Sequence, residues 1–251
     1  MKYRILLAPG VLILLLAGYM LWAKPFSYKP AQEALDIIGK SQSVQEIDLG
    51  WDGTYYVFFP DRSRVQRKGF VLYPGGLVDP RAYAPLMQAL AAEGCLAVIV
   101  SMPLDLAVLG YTRAGLVMSR YPDIDKWVLG GHSLGGAMAC RYVRSSAAKI
   151  SGLILLASYP SHRFRVDDMT LKALSVFGTS DGLTDLREIE ASKQHLPAGT
   201  QFVEIPGGNH SQFYAMSNKD DIYRGDKPAS IPYAEQQQAI LKAITVFLGS
   251  L

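Results

Sequence analysis

Val128-Leu129-Gly130-Gly131-His132-Ser133-Leu134-Gly135-Gly136-Ala137 joins an apolar run to a small-residue helical pattern through Gly-x-Ser-x-Gly. A serine at a sharp strand-to-helix corner takes a strained backbone with φ > 0, and side chains two residues away on either side would collide. Gly131 and Gly135 remove that collision. The helix starting near Leu134 aims its first amides and its positive dipole end at the same corner. A glycine-rich turn carrying an incidental serine is the plain alternative, because the five-residue pattern occurs often by chance. What decides between them lies elsewhere in the chain.

Outward from this corner, short apolar runs recur at Gly69 to Tyr73, Leu96 to Val100, Trp127 to Gly130, Gly152 to Ala157, Lys172 to Phe177 and Gln201 to Ile205. Helical patterns at 82–93, 106–120, 134–147 and 186–195 separate most of them, and a last helix is predicted from about Tyr233 to Leu248. Continuous apolar strands alternating with helices predict a mostly parallel sheet covered on both faces. Val44 to Leu49 and Thr54 to Phe59, around Trp51-Asp52-Gly53, read as an antiparallel pair at one edge. Before them, Ala31 to Ile38 reads as a short amphipathic helix.

At 251 residues the chain suits one α/β domain with an appendage. The division expected is an N-terminal membrane anchor or signal segment over 1–24, a tether and short helix over 25–43, and the α/β domain over 44–251. Lys2, Arg4, Lys24 and Lys29 bring four positive charges against a net of +3 for the whole chain, leaving the remainder one charge negative. Such a near-neutral body has no electrostatic footprint for nucleic acid.

Ile5 to Trp22 is an uncharged stretch of eighteen residues, at the short end of what spans a bilayer and longer than a usual signal-peptide core. Leu21-Trp22-Ala23 places a large residue where signal peptidase needs a small one, which favours an uncleaved anchor over a secreted, processed form. Lys2 and Arg4 on the short side predict an extracytoplasmic body in a bacterial cell envelope. A buried core helix is the alternative, and Pro9-Gly10 within the stretch supports it. The two cysteines, Cys95 and Cys140, sit in apolar elements and read as buried free thiols. Neither has metal-ligand spacing, and neither a metal nor a cofactor is expected. Oligomeric state is not legible.

Three residues beyond strand ends carry the chemistry. A serine hydroxyl is inert at neutral pH unless a base takes its proton, and the base needs an orienting acid. His210, in Pro206-Gly207-Gly208-Asn209-His210-Ser211, follows the last apolar run, where a glycine turn can bring an imidazole over Ser133. Asp181, in Gly178-Thr179-Ser180-Asp181-Gly182, follows the run before it, with Asp185 the nearby competitor. The order Ser133, Asp181, His210 thus puts nucleophile, acid and base each beyond a strand. An oxyanion hole needs two backbone amides: Leu134 supplies one, and Gly76 in Tyr73-Pro74-Gly75-Gly76-Leu77 the other, with Leu77 the alternative.

Together the elbow, Pro74-Gly75-Gly76, Asp181 and His210 resemble the α/β-hydrolase superfamily from about residue 45 to the C-terminus. Within it, the stretches from Tyr73 to Tyr83 and from Gly207 to Phe213 are similar to a compact bacterial group akin to dienelactone hydrolases, with serine where those use cysteine. The resemblance implies hydrolysis of a carboxylic ester through an acyl-enzyme on Ser133. A thioesterase or transacylase with the same three residues, and a non-catalytic anchored binding scaffold, are the other readings. Fourteen residues between Ala157 and Lys172 leave no room for a helical lid, so an open site is expected. Asp105, Tyr159, Phe164, Phe213 and Tyr214 are candidate pocket residues or plain packing. The charged stretch from Asn218 to Lys227 reads as a solvated loop, with Asp220, Asp221 and Asp226 as a weaker metal candidate.

Overall fold

Apolar runs too short for helices and bounded by glycine or polar residues become strands when both faces can be covered. The computed structural model describes residue 18 and residues 27–50, 53–61, 63–146, 150–218 and 222–251. Its strands are β1 (Val44–Asp48), β2 (Thr54–Phe58), β3 (Lys68–Tyr73), β4 (Leu96–Val100), β5 (Lys126–His132), β6 (Gly152–Leu156), β7 (Lys172–Gly178) and β8 (Gln201–Ile205). They form one sheet in the order β1-β2-β4-β3-β5-β6-β7-β8. β1 pairs antiparallel with β2 and β2 antiparallel with β4, while every pairing from β4 through β8 is parallel.

Alternate residues of one strand feed two cores. Phe70 and Leu72 of β3 pack beneath α1 (Gln32–Lys40), α2 (Ala84–Ala92) and α6 (Tyr233–Gly249), through Ala34, Met87, Leu90, Ile240 and Phe247. Val71 and Tyr73 face the other way, toward α3 (Ala114–Arg120) and α4 (Leu134–Ser145), through Val117, Ala139 and Val143. The period of two along a strand forces this division. At the amino ends of the strands, Lys68 Nζ donates to Leu248 O at 2.6 Å, Lys126 to Leu251 O and Lys172 to Ser250 O. Three ammonium groups thereby meet oxygens in the last turn of α6 and just beyond it, and complement its negative dipole end.

Strain gathers at the opposite end of the sheet. Leu77, Leu104, Asp105, Ser133 and Ala157 all have positive φ, and they follow β3, β4, β5 and β6. Non-glycine residues in such conformations cost on the order of 1–3 kcal/mol each and persist where the surroundings over-determine them. The helix expected over 106–120 is corrected: α3 begins at Ala114, and 3-10 turns at Pro103–Asp105 and Ala107–Leu109 precede it. Leu106 is extended at φ −121° and ψ 107°, and Gly110 leaves the helical region at φ −139° and ψ 21°, so a continuous helix cannot run through 106–113.

The leader expected over 1–24 lies outside the described residues apart from Gly18, as do Trp51, Asp52, Asp220 and Asp221. Among the described residues no helix is long and apolar enough to cross a membrane. Between β6 and β7 the only regular element is a 3-10 turn at His162–Phe164, so that connection carries no helical cap. Cys95 and Cys140 are buried and free, with burial pushing both thiols up to about 12.

Candidate active site

Ser133 sits between β5 and α4 with φ 52° and ψ −121°. Its N–H donates to Leu156 O at 2.9 Å, and Ser158 Oγ donates to Ser133 O at 2.7 Å, so the strained corner is held on both sides of its peptide. Gly131 and Gly135 are required here. A Cβ at Gly131 would lie 2.3 Å from the Gly135 carbonyl carbon, and one at Gly135 would lie 2.2 Å from Tyr73 O.

Asp181 and His210 meet. Their loops leave adjacent strands, and His210 Nδ1 lies 2.9 Å from Asp181 Oδ2, with both side chains essentially inaccessible to solvent. The other carboxylate oxygen, Oδ1, accepts the N–H groups of Leu183 and Thr184 at 2.8 and 2.7 Å. Acceptor-only Asp181 therefore leaves His210 donating from Nδ1, which makes Nε2 the basic nitrogen. That Nε2 is buried and has no hydrogen-bond partner, and no bond joins it to Ser133 Oγ in this structure. The two residues are nonetheless brought to one corner: the His210 ring centroid is 4.5 Å from that of His132, the residue preceding the serine. Apo geometry at such pairs is often loose and tightens with substrate.

Asp185 is elsewhere engaged. It caps α5 (Leu186–Ser192) through the Arg187 N–H at 2.8 Å and pairs with the Arg187 guanidinium at 2.6 Å on the surface.

In the loop after β3, the amides are nearly all committed. Gly75 N–H donates to Tyr83 Oη at 2.9 Å and Leu77 N–H to Asp105 O at 2.8 Å. The Gly76 and Leu134 N–H groups have no partner among the described hydrogen bonds, and the two residues adjoin, Leu134 Cδ2 lying 3.4 Å from where a Gly76 Cβ would stand. Of the two alternatives in that loop, Gly76 has the free donor. Tyr223 Oη donates to Gly76 O at 2.5 Å and holds the peptide in place.

His132, inside the elbow, links these parts. Tyr83 Oη accepts from Gly75, so its own proton goes to His132 Nδ1 at 2.9 Å, while Phe213 stacks on the imidazole at 5.4 Å and 15°. Complete burial, helped by the neighbouring His210, pushes the His132 imidazole well below its ordinary range. Unfolded, this histidine takes up a proton near pH 6.5; folded, it stays neutral to much lower pH. The unfolded state therefore binds the extra proton, and stability falls by up to about 1.4 kcal/mol per pH unit below about 6.5. Thermal melts between pH 7.5 and 5.5 should show a falling midpoint. His132→Asn keeps an acceptor for Tyr83 without titrating, and should flatten that slope; an unchanged slope contradicts the assignment.

Within the site His210 and His132 are buried while Ser133 and Leu134 stay partly exposed, and no helical cap lies between β6 and β7. Tyr28 stacks on Tyr223 at 4.3 Å, and Tyr223 stands edge-on to His210 at 5.6 Å. Of the candidate pocket residues, Phe213 and Tyr214 are buried packing groups and Asp105 O accepts the Leu77 N–H of the loop after β3. Tyr159 and Phe164 are only partly buried, and Arg141 reaches within 5.5 Å of the Phe164 ring.

The solvated loop expected over 218–227 is corrected in part. Asp226 Oδ2 accepts Ser211 N–H and Oγ at 2.8 and 2.6 Å, while Oδ1 accepts Gly182 N–H at 2.9 Å, so this carboxylate ties the acid loop to the histidine loop. Gln236 of α6, fully buried, exchanges hydrogen bonds with the Asn209 main chain at 3.0 and 2.8 Å. A polar residue on the buried stripe of a helix was the available signal for Gln236. Nothing local marks Tyr83, Thr184 or Tyr223.

Three solved structures are similar in fold. The novel thermophilic esterase Est2 from Thermogutta terrifontis is 13% identical, with a TM-score of 0.58 over 84% of this chain and 94% of its own. Est1E from Butyrivibrio proteoclasticus is 14% identical at a TM-score of 0.61, covering 83% and 98%. A predicted CIB-like hydrolase from Thermoplasma acidophilum is 14% identical at 0.59, covering 83% and 99%. The Thermogutta enzyme has also been seen phosphorylated by paraoxon and phosphoramylated by tabun. No curated protein matches the chain. Residues 69–238 match the profile of the Alpha/beta hydrolase family, and the chain belongs to that family.

Proposed function

We propose that this protein hydrolyses a carboxylic ester with Ser133 as nucleophile, His210 as general base and acid, and Asp181 as the orienting carboxylate. The observation that carries the reading is the unspent, buried Nε2 of an imidazole already oriented by Asp181, standing at the strained Ser133 corner. His210 Nε2 accepts the Ser133 proton as Oγ attacks the acyl carbonyl. The oxyanion receives the Gly76 and Leu134 amides. Collapse expels the alcohol, which takes the proton back from His210, and leaves an acyl group on Ser133. Water repeats the sequence with the same base and frees the acid. An esterase of the same fold that reacts with two organophosphates supports this chemistry.

Residues 5–22 are read as an uncleaved membrane anchor that holds the domain on the extracytoplasmic side. A fluorophosphonate probe should label the full chain once, on Ser133, and Ser133→Ala should abolish the label. Labelling that survives in this variant, or never occurs in the parent protein, overturns the reading.

A further inference from the structure

The first described residues of the body are fastened to the rim of the site. Ser27 Oγ donates to Asp105 Oδ2 at 3.0 Å, and Tyr28 N–H donates to Leu77 O at 2.8 Å. Arg224 N–H donates to Tyr28 Oη at 2.8 Å, and Pro30 bridges Met216. The uncharged stretch ends at Trp22, five Cα steps before Ser27. Even fully extended, those steps reach only about 18 Å. A bilayer holding residues 5–22 is therefore within that reach of Ser27, itself hydrogen-bonded to Asp105, whose carbonyl accepts the Leu77 amide beside Gly76.

The same rim carries exposed apolar side chains. Val108 and Leu109, exposed by 42% and 52%, follow β4 close to Asp105. Leu183 and Leu186, exposed by 40% and 39%, follow β7 close to Asp181. β4 and β7 are separated by β3, β5 and β6, so at about 4.8 Å per strand the strand ends that lead to the two apolar pairs stand about 19 Å apart, with the β5 end and Ser133 between them. Exposed Lys29 and Arg224 share the neighbourhood, placed to meet lipid phosphates. Exposed apolar groups at two points of one face, with cations on that same face, mark a surface that can seat against lipid.

We propose that the carboxyl-end face of the sheet lies against the membrane and that the ester attacked at Ser133 is lipid-borne, its acyl chain entering from the bilayer. The inference rests on the anchor and on the hydrolase reading, and its test separates the two.

The full chain carrying Leu109→Cys, Leu186→Cys or Val246→Cys would be labelled with an environment-sensitive fluorophore and reconstituted in phosphatidylcholine vesicles containing a lipid-attached quencher. Cys95 and Cys140 are buried, which leaves the introduced thiol as the reactive one. Val246, 60% exposed in the last turns of α6 beside the amino ends of the strands, is the remote control. Labels at 109 and 186 should be quenched at least threefold more than the label at 246. Equal quenching in chains that float with the vesicles overturns the proposal. Chains that fail to float overturn it together with the anchor, while fluorophosphonate labelling of Ser133 on the same samples reports the hydrolase reading independently. Val108→Asp with Leu109→Asp should slow turnover of a long-chain ester held in vesicles about tenfold and leave a soluble short-chain ester within twofold; equal effects on both substrates contradict the proposal.

Discussion

Asp181→Asn should lower kcat on a soluble short-chain ester by about 10⁴-fold, with KM changed by less than about threefold, as measured by steady-state kinetics. The amide is the same size and its oxygen can still accept the Leu183 and Thr184 N–H groups that now bond to Oδ1. What changes is the group facing His210 Nδ1. An NH₂ there donates rather than accepts, so Nδ1 must become the acceptor and the imidazole proton moves to Nε2. Nε2 then has no lone pair for the Ser133 proton. Asp185→Asn is the matched control and should stay within twofold, because Asp185 caps α5 and pairs with Arg187 on the surface. The reverse outcome would exchange the roles of the two carboxylates.

The second large effect is on folding. Gly135→Ala places a methyl group 2.2 Å from Tyr73 O and 2.4 Å from Pro74 O, both of them backbone atoms of the β3 end and the loop after it. No flexible side-chain tip can swing aside, so the loop or α4 must move. The expected loss is about 3 kcal/mol or more, read as a lower midpoint in urea, or as a failure to yield soluble protein. Gly39→Ala is the opposite case. That residue is in α1 with nothing within 4 Å of the added methyl group, and its replacement should raise stability by about 0.5–1 kcal/mol. Equal stability of Gly135→Ala and the parent protein would mean that the close packing at this corner is not needed.

The same local crowding explains why so much was legible in the chain. Gly131 and Gly135 announce a backbone that must pass close to another, and each predicted apolar run from Gly69 to Ile205 became a strand within two residues of its expected ends. Asp181 and His210 were legible because the fold places such groups directly beyond strand ends, where a short loop leaves little choice of position. What escaped were contacts between distant segments. Tyr223 meets Gly76 and Tyr28 across most of the chain length, and such pairings leave no periodicity or spacing behind. The stacking of Tyr28 on Tyr223 beside His210 escaped for the same reason: it joins rings from opposite ends of the domain. The helix over 106–120 failed differently. Its apolar spacing is helical, but the extended backbone at Leu106 and the non-helical backbone at Gly110 override the local preference.

Acid-quenched mass spectrometry during turnover of p-nitrophenyl acetate reads the covalent acyl-enzyme on Ser133 itself. One acetyl group is expected on the peptide carrying Ser133 at early times in the parent protein, absent together with turnover in Ser133→Ala, and formed far more slowly in His210→Ala, which lacks the base that takes the Ser133 proton. Undiminished hydrolysis by Ser133→Ala, or an acetyl group trapped on a different residue, would contradict it.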